Sequence, residues 1–150
     1  MIAPARLRAI LVAMDFSPHA LAALAMAKRL ARDAGPARLL LFTACSLPVD
    51  IEGLDIPEGV RVLEFLERRA NEELGRLAAQ LAAEGIEAEA IVQRGPTARL
   101  LLALAREKAV DLIALGTHGR GGVSLALLGS VAGRVLRGAT CPVLVAKAEA

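Results

Sequence analysis

Five short runs typical of β-strands alternate with four helical patterns, and this alternation limits the fold more than any other feature of the chain. The strand-like runs begin at Leu7, Arg38, Ile86, Leu112 and Cys141. Between them, apolar residues recur every three or four positions, as they do on the buried face of a helix. Strands and helices that alternate in this way form a parallel sheet with right-handed crossovers and helices on both faces. The sequence therefore predicts a single open, doubly wound, five-stranded α/β domain of Rossmann-like class over residues 1–150.

The boundaries of the predicted elements follow from hydrophobic patterning and from helix-capping residues. Leu7–Met14 and Arg38–Cys45 are almost continuously apolar, which is typical of strands buried on both faces. Ile86–Gln93 alternates apolar and polar residues and therefore predicts a half-buried strand near a sheet edge. Ser17 and Pro18 are a preferred N-cap and a preferred first helical residue. Ser46–Pro57 is predicted to be a loop, the other helices are predicted to start near Glu58, at Thr97 and near Ser130, and the last strand is predicted over Cys141–Ala146.

Composition excludes several classes of function. Hydrophobic residues make up 55% of the chain, which excludes intrinsic disorder. Aromatic residues make up only 2%, so the stacking platforms of single-strand nucleic-acid binders are missing, and the 18 basic residues are scattered rather than clustered. No apolar run is long enough to cross a membrane, and no signal peptide is visible. We therefore expect a cytoplasmic protein without a nucleic-acid or membrane partner, in which Cys45 and Cys141 are reduced and buried.

Glycines cluster behind the fourth predicted strand. A glycine-rich turn that leads from a strand to a helix N-terminus points free N–H groups outward and suits a phosphate group. The cluster therefore predicts a nucleotide-phosphate cradle, and a tight turn without a ligand is the alternative. Neither a P-loop nor a complete dinucleotide fingerprint is present, because no Lys follows a Gly and Ser124 stands where the third glycine of GxGxxG belongs. The glycines are Gly116, Gly119, Gly121, Gly122 and Gly129.

The ends of three predicted strands carry residues that are expected to meet at one crevice. Doubly wound sheets bind ligands at the carboxyl ends of their strands, at the point where the strand order reverses. Asp15 follows the first strand, Thr43 lies near the end of the second, and Gly116 follows the fourth. If the first and fourth strands are neighbours, Asp15 and Gly116 face the same crevice, and Gly129-Ser130 brings a helix N-terminus to it.

The glycine spacing and its flanking sequence carry a family resemblance. The spacing is Gly116-x2-Gly119-x9-Gly129-Ser130, and around it stand ILVAMDFSPHA, GPTARLLLALAREKAVDLIALGTHGRGG and LLGSVAGRVLRGATCPVLVA. With these segments the chain resembles the universal stress protein family, the UspA-type small α/β proteins, essentially from end to end. The resemblance implies a sheet order of 3-2-1-4-5, dimerisation through the last strand at Pro142 to Lys147, and membership of the branch that binds ATP.

The same resemblance implies roles for individual residues. The stretch from Gly116 to Gly122 would wrap the ribose and phosphates, Ser130 and Val131 would donate hydrogen bonds to the phosphates, and Asp15 would hold the ribose. Capping of the following helix is an alternative role for Asp15. Ala13 and Thr43 would lie against adenine, although the family often has Pro and an apolar β-branched residue there. The implied nucleotide-binding residues are Ala13, Asp15, Thr43, Leu115, Gly116, Thr117, His118, Gly119, Arg120, Gly121, Gly122, Gly129, Ser130, Val131 and Ala132.

The function expected from this resemblance is that of an ATP-binding regulatory protein, a nucleotide sensor of the stress response that acts as a dimer. Mg²⁺ would accompany the phosphates. Hydrolysis would be slow at most, because the sequence shows neither a P-loop lysine nor a water-positioning base. No catalytic residue or dedicated metal ligand is assigned, and His19, in the first turn of a helix, is expected to be solvated. The alternatives are a nucleotide-free dimeric interaction module of the same fold and an enzyme of related architecture.

Overall fold

The computed structural model describes residues 6–47, 56–118 and 128–149, and there the predicted alternation of strands and helices is confirmed. In chain order the elements are β1 (Ala9–Ala13), α1 (Pro18–Asp33), β2 (Arg38–Cys45), α2 (Ile56–Ala83), β3 (Ala88–Arg94), α3 (Thr97–Glu107), β4 (Leu112–Gly116), α4 (Ser130–Gly138) and β5 (Val143–Ala146). The strands pair in parallel in the order β3-β2-β1-β4-β5. This is the predicted doubly wound, Rossmann-like sheet.

Several element boundaries differ from the prediction. β1 begins two residues later than Leu7, and β5 begins at Val143 rather than Cys141. The reason at β5 is pairing, because its register with β4 starts where Val143 lies opposite Ile113. α2 starts at Ile56, inside the predicted loop Ser46–Pro57, of which residues 48–55 lie outside the described part of the chain. A proline at the second helical position is compatible with this start, since the first-turn N–H groups have no intrahelical partner.

The core has two layers, one on each face of the sheet. The inward side chains of β1 and β2 alternate between the layers, so Ile10 and Leu39 belong to one and Leu11 and Leu40 to the other. The first layer is covered by α1 and α2, and the second by α3 and α4. Buried positions are mostly Leu, Ala, Val and Ile, and Phe42 is the largest fully buried side chain. Burial on both faces explains the continuous apolar runs of the central strands.

A half-buried carboxylate ties β1 to the segment that leads into β4. The Asp111 carboxylate accepts hydrogen bonds from the backbone N–H groups of Arg8 at 2.8 Å and Ala9 at 3.0 Å. The bond from Arg8 holds the pKa of Asp111 below its ordinary value, with a further contribution from the Ala9 bond. The carboxylate therefore fixes the register between the two central strands at their amino ends.

Both cysteines are free thiols, but they differ in exposure. Cys45 is buried, whereas the prediction that Cys141 is buried is wrong, since this residue is half-buried. Cys141 precedes the edge strand β5, which neighbours β4 on one side only, and the edge leaves it partly uncovered. Desolvation raises the pKa of both thiols. In the described part of the chain, no helix is both long and apolar enough to span a bilayer.

Candidate functional site

A cavity of about 510 Å³ opens at the carboxyl edge of the sheet, where β1 and β4 lie side by side. From here the chain leaves β1 for α1 on one face and leaves β4 for α4 on the other, so the two connections separate. This is the switch point at which sheets of this class bind ligands, and the volume lies in the usual range for small-molecule sites of roughly 300–1,000 Å³. The predicted site residues that line the cavity are Ala13, Asp15, Thr43, Leu115, Gly116, Thr117, His118, Gly129, Ser130, Val131 and Ala132.

Four predicted site residues lie outside the described part of the chain, namely Gly119, Arg120, Gly121 and Gly122. Conversely, the cavity has lining residues that were not predicted. Phe42 and Ala44 lie at the carboxyl end of β2, and Thr97 starts α3 at the same edge. The sequence could have predicted these three residues as part of the site, because they lie at or just after the carboxyl ends of strands, and the carboxyl ends of parallel strands share one edge of the sheet. The further unpredicted lining residues are Met14, Ala20 and Leu128.

The N-terminus of α4 presents backbone donors to this cavity. Its first intrahelical bond runs from Gly133 N to Gly129 O at 2.9 Å, and Gly129 has no side chain that could cap the helix. The N–H groups of Ser130, Val131 and Ala132 therefore precede the helical hydrogen-bond ladder. The first turn of α4 contains no acidic residue, so the positive end of the helix dipole is not neutralised by its own side chains. Such an end attracts anions.

Two glycines of the predicted motif are required by close backbone packing. A Cβ atom at Gly116 would lie 2.6 Å from His19 Cβ and 2.9 Å from Ala20 N in the first turn of α1. A Cβ atom at Gly129 would lie 2.8 Å from the carbonyl oxygen of Thr117, to which Gly129 N donates a 2.7 Å hydrogen bond. Gly116 therefore brings α1 against β4, and Gly129 brings the start of α4 against the end of β4. The segments that contain Gly116 and Gly129 contact each other, yet the cavity remains beside them.

Asp15 combines a turn with a place at the cavity. Its Oδ1 atom accepts a 2.9 Å hydrogen bond from Ser17 N, while the Ser17 hydroxyl caps α1 by accepting from Ala20 N at 3.2 Å. Ser17 is thus the N-cap, as predicted, and Asp15 stabilises the turn that precedes it. Between them, Phe16 has φ of +60°, a left-handed conformation that non-glycine residues rarely adopt. The carboxylate therefore lies in a tight, strained turn at the cavity wall.

Thr43 reaches this turn from the neighbouring strand. Its hydroxyl donates a 2.5 Å hydrogen bond to the carbonyl oxygen of Met14, the residue directly before Asp15. The backbone N–H of Met14 in turn donates to Phe42 O at 2.8 Å. The hydroxyl proton of Thr43 is therefore committed to the backbone, and the bond lies at the end of the β1–β2 pairing.

His118, which lines the cavity, lies close to His19. The prediction that His19 is solvated is wrong, because its Nδ1 atom accepts a 2.8 Å hydrogen bond from Ala148 N, beyond β5, and its ring centroid lies 5.8 Å from that of His118. Among the described residues, neither His118 Nε2 nor the Thr117 hydroxyl, both buried atoms, has a hydrogen-bond partner. Buried polar atoms in native proteins normally have a partner, and ligand or water atoms can supply it.

These features define a class of protein: a parallel α/β domain whose switch-point cavity joins an apolar wall to an anion-attracting helix N-terminus. The model of the universal stress protein family matches residues 6–147 of this chain. A universal stress protein of Thermus aquaticus is 36% identical over 141 residues, which are 93% of this chain and 98% of that protein. The chain therefore belongs to the universal stress protein family, as the glycine spacing predicted.

Solved structures support the same assignment. A universal stress protein family member from Burkholderia pseudomallei is 31% identical, with a TM-score of 0.69 over 95% of this chain and 98% of that one. The universal stress protein from Archaeoglobus fulgidus in complex with dAMP is 26% identical, with a TM-score of 0.63 over 95% and 99% of the two chains. Three further curated relatives are matched over only 61%, 53% and 51% of their own length.

Proposed function

We propose that this protein binds an adenine nucleotide, ATP above all, in the switch-point cavity, and acts as a dimeric regulatory protein of the stress response. The observation that carries the proposal is the N-terminus of α4 at the cavity, where Gly129 supplies no capping side chain and the N–H groups of Ser130 and Val131 precede the helical ladder. Such an end suits the phosphates of a nucleotide. The related structure from Archaeoglobus fulgidus, which contains dAMP, supports a nucleotide as the ligand class.

The cavity offers a different chemistry at each end. Ala13, Phe42 and Thr43 supply a largely apolar wall that suits a base, whereas α4 supplies backbone donors for phosphates. Asp15 lies on the same lining, and a carboxylate accepts hydrogen bonds from ribose hydroxyls. In this proposal Thr117 and His118 also contact the nucleotide. The role of Gly119 to Gly122 as a ribose and phosphate wrap stays a prediction.

The proposed activity is regulatory rather than catalytic. Mg²⁺ would enter with the phosphates, since it commonly binds to them and keeps several of its waters. Hydrolysis would be slow at most, because the sequence has no Gly-Lys pair and therefore no P-loop lysine to stabilise the transferred phosphate. A cytoplasmic location is part of the same proposal.

The edge strand β5 supports the proposed dimer. It neighbours β4 on one side, and the side chains of Val143–Ala146 are all half-buried in the single chain. An edge strand presents unpaired backbone groups that a second copy can engage. We propose that Pro142–Lys147 forms this interface. A nucleotide-free dimeric interaction module of the same fold is the second candidate, because this edge is present whether or not a ligand binds.

The N-terminus of α4 allows a direct test of nucleotide binding. Ser130→Pro removes one N–H donor at the first helical position, where proline is favoured, and the preceding Gly129 already has the extended ψ of 157° that a following proline requires. Ser130→Ala is the matched control, because it removes the hydroxyl but keeps the N–H. By calorimetric titration we expect Ser130→Pro to weaken ATP binding about tenfold and Ser130→Ala about twofold or less.

Three outcomes separate the candidates. Nucleotide released from the denatured protein and identified as ATP by mass, together with the Ser130 pattern, supports the proposal. Binding of ATP that Ser130→Pro leaves unchanged would place the phosphates elsewhere. An absence of binding to ATP, AMP and dAMP at millimolar concentration, with a dimer in light scattering, would favour the interaction module.

A further inference from the structure

We infer that Thr43 is a positioning residue for Asp15. The Thr43 hydroxyl sets how well the cavity holds a ribose by orienting Asp15, and not by a direct contact with the ligand. The inference rests on the proposed nucleotide-binding function for its ligand, and on the hydrogen bonds around the β1–α1 turn for its mechanism.

The turn that carries Asp15 is short and is held at both ends. Its first fixed point is Met14, whose N–H donates to Phe42 O at 2.8 Å, beyond the last paired residue of β1. Its second is Ser17, which receives the helix-capping bond from Ala20 N and donates to Asp15 Oδ1. Between these points the chain must reverse direction within two residues.

That reversal is strained. The φ of +60° at Phe16 costs of order 1 kcal/mol or more for a non-glycine residue and persists only where the surroundings hold it. The Thr43 hydroxyl holds the peptide plane that enters the turn, since it donates to Met14 O at 2.5 Å. That peptide joins Met14 to Asp15, so its orientation sets the direction in which the Asp15 side chain leaves the backbone.

Loss of the hydroxyl would release this peptide. Thr43→Val keeps the β-branched shape and volume on a strand, but it leaves the Met14 carbonyl without the Thr43 donor. Met14 is only 3% exposed, so water has little access to its carbonyl group and cannot fully replace the lost bond. The peptide can then turn toward another donor, and the strained φ of Phe16 can relax. Asp15 would move away from the position at which it meets the ribose.

The alternative is that the Thr43 oxygen touches the base directly, because Thr43 itself lines the cavity. A double-mutant cycle with Asp15→Asn separates the two mechanisms. Asparagine retains an oxygen that can accept from Ser17 N, so the turn survives, but the carboxylate that would hold the ribose is lost. If Thr43 acts through Asp15, its replacement has little further effect once Asp15 is changed.

The first experiment measures the Kd of ATP by calorimetry for the wild type, Thr43→Val, Thr43→Ser, Asp15→Asn and the double variant Asp15→Asn/Thr43→Val. We expect Thr43→Val to weaken binding about tenfold, as the loss of one charge-assisted contact does, and Thr43→Ser, which keeps the hydroxyl, to stay within about twofold. The double variant should match Asp15→Asn within about twofold. Additive losses, with the double variant about tenfold weaker in binding than Asp15→Asn, or no loss in Thr43→Val, would overturn the inference.

The second experiment needs no nucleotide. Amide hydrogen exchange of Ser17 reports the bond to Asp15 Oδ1, and Ile113, whose N–H donates to Pro142 O, is a reference amide in the same sheet. Thr43→Val should speed exchange at Ser17 about fivefold or more and leave Ile113 unchanged, while Thr43→Ser should resemble the wild type. Unchanged exchange at Ser17 would overturn the positioning role. Failure of the wild type to bind ATP, with faster Ser17 exchange in Thr43→Val, would instead count against the proposed function alone.

Discussion

The contact of Gly116 with α1 predicts a large loss of stability from a single added methyl group. In Gly116→Ala the new Cβ would lie 2.6 Å from His19 Cβ, 2.8 Å from His19 C and 2.9 Å from Ala20 N. Carbon atoms in contact are normally about 3.5–4.0 Å apart, so the gap must open by roughly 1 Å. Two of the three neighbours are backbone atoms in the first turn of a helix, and they cannot move aside as the end of a flexible side chain can.

The expected cost follows from this geometry. Overpacking of a tightly packed site costs about 1–3 kcal/mol, and backbone contacts place Gly116→Ala toward the upper limit, at about 2–3 kcal/mol. Gly75→Ala is the matched control, because Gly75 lies within α2 and a Cβ there would meet nothing within 4 Å. In a helix interior this change stabilises a protein by about 0.5–1 kcal/mol. The two variants should therefore differ by about 3 kcal/mol in the free energy of unfolding.

Urea unfolding followed by circular dichroism measures that difference. The midpoint should fall in Gly116→Ala and rise in Gly75→Ala, with the slope of the transition unchanged in both. If Gly116→Ala were as stable as the wild type, β4 and α1 would not approach as closely as described, and packing would no longer explain this glycine. The glycine would then have to be explained by the ligand alone.

Three other changes test separate parts of the structure. Gly129→Ala should lower ATP affinity about tenfold or more in a calorimetric titration, because its Cβ would lie 2.8 Å from a carbonyl oxygen, whereas Gly133→Ala, with its nearest neighbour at 3.5 Å, should bind normally. Asp111→Ala should lower stability by about 1–2 kcal/mol at pH 7. The pKa of Asp111 in the folded protein is depressed, so its stabilising contribution is present above the unfolded value of 3.8 and is lost as the pH falls through the folded pKa. In urea unfolding, the difference in free energy of unfolding between Asp111→Ala and the wild type should therefore shrink in that pH range. His19→Ala should speed amide exchange at Ala148 about tenfold, and unchanged exchange would contradict the hydrogen bond.

The sequence predicts the architecture well because the fold depends on patterns that a single chain carries. Continuous apolar runs predict strands buried on both faces, and the bounds predicted for β2, Arg38–Cys45, are those observed. Strand ends at β1 and β5 were less accurate, because they depend on where the neighbouring strand stops pairing. The residue at which pairing stops depends on two segments that are far apart in the sequence, so neither segment alone predicts it.

Contacts between distant segments also limit what could be predicted of the site. The cavity and most of its described lining follow from the rule that carboxyl ends of parallel strands share one edge. The hydrogen bond from Thr43 to Met14 does not, because it joins residues 29 positions apart and depends on one side-chain rotamer. Nor could the bond from Ala148 to His19, across 129 positions, be predicted from a histidine in a first helical turn.

The two packing glycines change how the motif relates to the ligand. The sequence alone suggests that glycines are there so that a phosphate can approach the backbone. In the structure, Gly116 and Gly129 allow protein segments to approach each other: α1 reaches β4 at the first, and the start of α4 reaches the end of β4 at the second. Residues from the first turns of both helices, Ala20 of α1 and Ser130 of α4 among them, line the cavity. A side chain added at either position should therefore weaken nucleotide binding by displacing α1 or α4. Substitution by alanine should then impair binding almost as much as substitution by a larger residue.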